Sequence, residues 1–179
     1  MLKPLSQLPG NELVWKRVKL GQFEFSADGD VYINYRMKGL SKFSVQAEQG
    51  EWTFQQGNLM GTYFVVKDRQ GNVVATMPWG SFKKTQVLLA DGRILRLGYF
   101  NDAMIIMNPE GDPIVHSQEI SEGLMGSQRR ITLGKDARNY PELPFLIPLC
   151  NYMINRAMSE QGQYGPLAAI FKAGFSRFE

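Results

Sequence analysis

The side chains able to do chemistry are few and scattered. The chain carries one histidine, His116, and one cysteine, Cys150, so a metal site would have to rely on carboxylates, because no His-Cys spacing suited to zinc exists. His116 follows Ile114 and Val115 in a short apolar run and reads as an ordinary strand residue. Cys150 lies inside an apolar stretch where a thiolate is disfavoured, so it reads as a buried, inert thiol rather than a nucleophile. The glycine-rich stretches near residues 57–61 and 123–126 do not follow a strand and open a helix, as a phosphate-binding loop must. Aspartate and glutamate fall mostly in turns, with no pair assignable to catalytic separation. No catalytic residue, metal ligand or cofactor is assigned on this basis, and an enzyme is the less supported class.

Anion binding is the chemistry that remains. Basic residues come in short clusters: Lys16, Arg17 and Lys19; Arg36, Lys38 and Lys42; Lys83 and Lys84; Arg93 and Arg96; Arg129 and Arg130. Two such groups brought together by neighbouring strands would hold an anion through charge-assisted hydrogen bonds. Lys83, Lys84, Arg93, Arg96, Arg129 and Arg130 are the candidate ligand-binding set. Against it stands the plainer reading of each cluster, outward strand residues that keep the chain in solution. Trp15, Trp52, Trp79, Tyr63 and Phe82 could line a ligand cavity, but aromatics dominate core area and read first as core.

These groups need elements to position them. With 179 residues, 44% of them hydrophobic and 12% aromatic, the chain has the size and apolar content of one domain with a real core, taken here as 1–179. Twenty Lys plus Arg against seventeen Asp plus Glu leave a net charge of +3, too small to demand a nucleic acid. A single cysteine forms no internal disulfide and the first ten residues lack a continuous apolar run, so the expected location is the cytoplasm, with a peripheral membrane position open.

From residue 13 to about 135, short alternating runs are separated by turns that pair Asp or Asn with Gly, the signature of successive hairpins. Val31 to Lys38 alternates apolar and polar and pairs with Phe23 and Phe25 through Asp28-Gly29-Asp30. The pattern recurs at Tyr63 to Lys67 with Val73 to Met77, at Ser81 to Ala90 with Arg93 to Phe100, and at Met104 to Met107 with Ile114 to His116. Leu13 to Leu20, Lys42 to Ala47, Trp52 to Gln55 and Arg129 to Leu133 bring the expected total to ten to twelve strands, enough for a closed barrel or two packed sheets. After Pro141 the register changes. Leu143 to Met158 is apolar over roughly 240° of a helical wheel, with Pro148, Asn151 and Asn155 on the remaining stripe. A helix needs only about 100° of apolar face to sit on a surface, so this one, placed at about 142–160, belongs in the middle of the protein. Pro148 removes a backbone donor, so the first turn is expected to be irregular or the regular helix to begin near it. In the tail, 162–179, residues 166–178 read as a short amphipathic helix with Leu167, Ile170, Phe171 and Phe178 on one side, docking on its own barrel, on a second copy or partner protein, or at a membrane interface.

The turns at Asp28 to Asp30, Asp68 to Asn72, Asp91 to Arg93 and Asn108 to Asp112, followed by the helix Leu143 to Met158, resemble the tubby-like superfamily, which includes the LURP-one-related proteins and phospholipid scramblases. That resemblance implies a closed barrel of about twelve antiparallel strands around a buried C-terminal helix, and a role in phospholipid binding through basic side chains on the barrel wall. None of those basic positions transfers to this chain residue by residue, and the segment beyond the helix is longer than such domains commonly carry. The function expected is a non-enzymatic binding or scaffold module that engages an anionic lipid, a phosphorylated ligand or a protein partner through its outer wall. The competing expectation is a lipocalin-like carrier holding a small apolar ligand in the barrel, with the helix packed outside.

Overall fold

The computed structural model describes residues 1–38, 42–57, 63–78, 86–100, 103–123 and 126–163, without the side chains of Phe100, 121–127 and 154–163. The strands are β1 (Glu12–Lys19), β2 (Gln22–Ala27), β3 (Asp30–Met37), β4 (Lys42–Ala47), β5 (Gly50–Gln56), β6 (Tyr63–Asp68), β7 (Val73–Pro78), β8 (Gln86–Leu89), β9 (Ile94–Phe100), β10 (Ala103–Met107), β11 (Pro113–Gly123) and β12 (Gly126–Leu133). Each pairs antiparallel with its sequence neighbours, and β12 pairs with β1, so the sheet closes into a twelve-stranded barrel with no free edge. The helix α1 (Leu143–Gln163) follows.

Antiparallel pairing sorts the connections between two ends. At one rim lie the tight turns after β2, β4, β6, β8 and β10, each holding an acid: Asp28, Glu48, Asp68, Asp91, and Glu110 with Asp112. Asp28 and Gly29 both take positive φ, 50° and 85°, the left-handed conformation that lets a two-residue turn follow the strand twist. In two of the longer turns an Asx side chain closes the loop: the Asn72 amide N–H donates to Asp68 Oδ1 at 2.8 Å and that of Asp112 to Asn108 Oδ1 at 2.7 Å.

The helix starts at this same rim. Past Leu133 the chain runs close against β11, and a Cβ on Gly134 would lie 1.7 Å from the Pro113 carbonyl oxygen, so only glycine fits. Arg138 then donates to the carbonyls of Leu8 and Gly10, and Arg93 donates to Glu142 Oε1 at 2.5 Å, fixing the first residue ahead of α1. Every residue from Leu143 to Met153 is buried, the prolines and Asn151 included. The helix runs regularly from Leu143 through Pro148 rather than starting near it. Buried surface on every side requires a wall on every side. Phe145 packs against Trp52 and Phe54, Tyr152 against Phe43 and Phe64, and the Cys150 thiol donates to the Met104 carbonyl at 3.2 Å. β4 and β10, both in contact with α1, stand six places apart in a ring of twelve, so the helix meets opposite walls and fills the lumen. It extends to Gln163, five residues beyond the expected Met158; the expected tail helix, 166–178, lies outside the described residues.

Burial of the helix sets its sensitivity. Leu149→Ala should lower stability by about 2–5 kcal/mol in urea unfolding, a large share of an ordinary total of about 5–15. Leu149→Asp should leave no soluble folded protein, because a lone buried charge costs several kcal/mol. An unchanged urea midpoint for both variants would contradict the enclosed position.

Candidate functional site

Inward and outward positions follow from strand parity. Around the wall, Leu13, Phe25, Ile33, Phe43, Phe54, Val66, Ala75, Val87, Leu95, Ile106, Val115 and Ile131 point at the helix and are buried. On the opposite face, strands β2 to β5 carry two polar rows. Lys16, Glu24, Asn34, Gln46 and Glu51 are successive cross-strand partners, and Gln22, Arg36, Ser44 and Thr53 form the adjacent row. Together with Val18 and Lys38, side chains of these rows line an outer-wall concavity of about 370 Å³.

The charges in this groove divide into committed and available ones. Glu24 is held by Lys16 at 2.8 Å, and Glu51 accepts from the Gln46 side-chain amide at 3.1 Å. Arg36 and Lys38 are exposed and, among the described residues, have no ion-pair partner. These two cations, beside the amide and hydroxyl groups of Gln22, Asn34, Ser44 and Thr53, can bind an anion that also carries hydroxyls. Beneath them Tyr35 packs in tilted contact between Phe23 and Phe43, and its burial, chiefly, pushes the phenol far above its ordinary range.

The six candidate residues are not assembled into one site. Lys83 and Lys84 lie outside the described residues. Arg93 is engaged by Asp91 at 2.6 Å and Glu142 at 2.5 Å and lies over the Tyr140 ring, so it fastens the start of the helix. Its hydrogen bonds hold the Asp91 carboxyl below the usual range, the Arg93 backbone N–H contributing most. Arg96 and Arg130 are both exposed, but β9 and β12 are three strand spacings apart, about 14 Å around the wall. Arg130 also faces Glu12 at 3.7 Å.

Arg129 corrects the expectation of an outward ligand. It shares parity with Ile131 and Leu133, is 2% exposed, and points into the barrel. There it lies 3.7 Å from Glu119 with its guanidinium over the Trp15 ring at 5.7 Å, and burial lowers its pKa against the opposing pull of Glu119. Trp15 itself stacks on Phe23 and belongs to the core, whereas Trp79 and Phe82 lie outside the described residues. Cys150 is fully buried, and that burial raises its thiol well above the ordinary value. Among the described residues no group of three His, Cys, Asp or Glu side chains could hold a metal ion, and no described helix is long and apolar enough to cross a membrane.

Arg36 and Lys38 stand in a recognisable sequence cluster, yet their partners come from three other strands, so only the register reveals the groove. The fold thus defines a class: a closed antiparallel barrel plugged by its own C-terminal helix, with a polar groove on its outer wall. In comparisons with known proteins, no family model, curated protein or solved structure matches the chain.

Two outcomes check these placements. Arg129→Met, which keeps the packing volume but leaves Glu119 without its cation, should cost about 1–3 kcal/mol, while Arg130→Ala should cost under about 1 kcal/mol. Equal small losses would contradict the inward position. Burial also holds His116 below its ordinary value of 6.5, so the folded state favours neutral imidazole. Its stabilising effect is complete above that value and is lost as pH falls from there to the folded pKa. His116→Gln should flatten the fall in melting temperature as pH drops below 6.5; an unaltered slope would contradict it.

Proposed function

We propose that this chain is a non-enzymatic binding module of tubby-like architecture whose outer wall takes a phosphorylated, hydroxyl-bearing ligand. The groove across β2 to β5 carries the reading: Arg36 and Lys38 are cations without an ion-pair partner among the described residues, beside the neutral side chains of Gln22, Asn34, Ser44, Gln46 and Thr53, while the two carboxylates of the lining are engaged, Glu24 by Lys16 and Glu51 by Gln46. Arg36 supplies a planar fork suited to a phosphate, and Lys38 a second point charge. Gln22, Asn34, Ser44, Gln46 and Thr53 supply donors and acceptors for ring hydroxyls. The lumen, which a lipocalin-like carrier would use, is occupied by Phe145, Leu149, Tyr152 and Met153, and this favours the outer wall.

The test is a titration of the full chain with a soluble inositol trisphosphate, followed by calorimetry. Saturable binding that weakens with salt is expected, and Arg36→Ala with Lys38→Ala should weaken it at least about tenfold. Binding of equal strength in the double variant, or none in the native chain, would overturn the reading.

A further inference from the structure

The rim opposite the acidic turns has a composition of its own. β1 carries a bulge at Val18, between the pairs Arg17 with Phe23 and Lys19 with Gln22, so alternation fails and Lys16 to Leu20 are all exposed. Leu20 at the hairpin tip is 86% exposed and Val18 58%. Met37, 38% exposed, ends β3 beside them, its amide donating to the Gly21 carbonyl at 2.8 Å. An apolar hairpin tip held out in water by a closed barrel carries a standing cost, because no strand edge or core is available to absorb it.

Around these three side chains are Lys16, Arg17, Lys19, Arg36, Lys38 and Lys42, all exposed. No acid occurs in the sequence from Lys16 to Gln22 or from Arg36 to Phe43. Glu24, the nearest acid on β2, is already neutralised by Lys16. The five tight turns at the other rim hold six acids against two cations, Arg69 and Arg93, so an anionic plane would be repelled there and drawn to the side of the opposite rim formed by β1 to β4. Apolar tips inside a ring of cations match the layering of a lipid surface: acyl chains below, anionic headgroups above.

We propose that this rim is a membrane-docking surface, with Leu20, Val18 and Met37 entering the interface of an anionic bilayer and the surrounding cations lying at headgroup level. The proposal does not depend on the groove. A second copy of the chain is the less fitting occupant, because two such rims face to face would bring ten cations together, Arg17, Lys19, Arg36, Lys38 and Lys42 of each copy, that have no ion-pair partner among the described residues.

The test uses the full chain and vesicles of phosphatidylcholine with or without phosphatidylserine. Because Cys150 is the only cysteine and is buried, Leu20→Cys or Glu110→Cys can be labelled singly with an environment-sensitive dye. A blue shift of the dye at 20 and not at 110, seen only with phosphatidylserine present, is expected. In co-sedimentation, Leu20→Ser should weaken vesicle binding at least about fivefold, and Lys19→Ala by a similar factor. Both variants should bind soluble inositol trisphosphate as the native chain does, so that loss of groove binding and loss of docking are told apart. The proposal is overturned by equal shifts at 20 and 110, by no shift at either, by equal binding to both vesicle types, or by a dimer in sedimentation that Leu20→Ser abolishes.

Discussion

Everything in this molecule is subordinate to the enclosure of a helical stretch, Leu143 to Met153, that has no face for water. From Leu143 to Met153 each side chain is buried, and the sheet satisfies that demand by closing on itself around it. Closure in turn dictates the inward parity of every strand, since a one-residue slip would turn an apolar row outward. The contacts of α1 with β4 and β10, on opposite sides of the ring, make the helix the core's central member rather than a lid. Aromatic contacts at Phe145 and Tyr152 extend that core to β5 and β6.

A filled interior has a functional consequence. Recognition has to occur on the outer face or at the rims, and these differ in charge. One rim is built of Asx-Gly turns and receives the helix, with Arg93 and Arg138 spent on holding the connecting segment in place. The other rim and the adjoining wall carry Arg17, Lys19, Arg36 and Lys38, which have no ion-pair partner among the described residues. The groove and the hairpin tip are neighbours, sharing Val18 and Lys38, so a headgroup in the first and acyl chains against the second are geometrically compatible. Arg129 shows the other fate of a cation here: inside the wall it is paired with Glu119 and covered by Trp15, a structural use of charge in a low-dielectric setting.

Much of this architecture was readable from residue order. Asp28-Gly29, Asp91-Gly92 and their counterparts mark reversals because positive φ limits the choice of residue, and most strands between them were bounded within a few positions, although β11 runs to Gly123, seven residues beyond the expected His116. The helix was legible because apolar residues over roughly 240° of a wheel leave few alternatives to enclosure. Arg129 was misplaced although the signal was present: period-two alternation with Ile131 and Leu133 puts it on the inner face, but its neighbour Arg130 made the pair look like a surface cluster. The groove could not be read at all, since Gln22, Arg36, Ser44 and Thr53 become neighbours only through the registers of three strand pairs. The bulge at Val18 likewise depends on one skipped partner between β1 and β2.

The enclosed helix is most directly tested by the reactivity of its one thiol. Cys150 lies midway along the buried stretch and is the only cysteine in the chain. Native protein mixed with excess of a small aromatic disulfide should react no faster than the whole barrel unfolds, with the rate following the global unfolding rate as urea is raised. Rapid labelling in the absence of denaturant, with strand structure intact, would mean the helix is accessible and that the lumen is not where it resides.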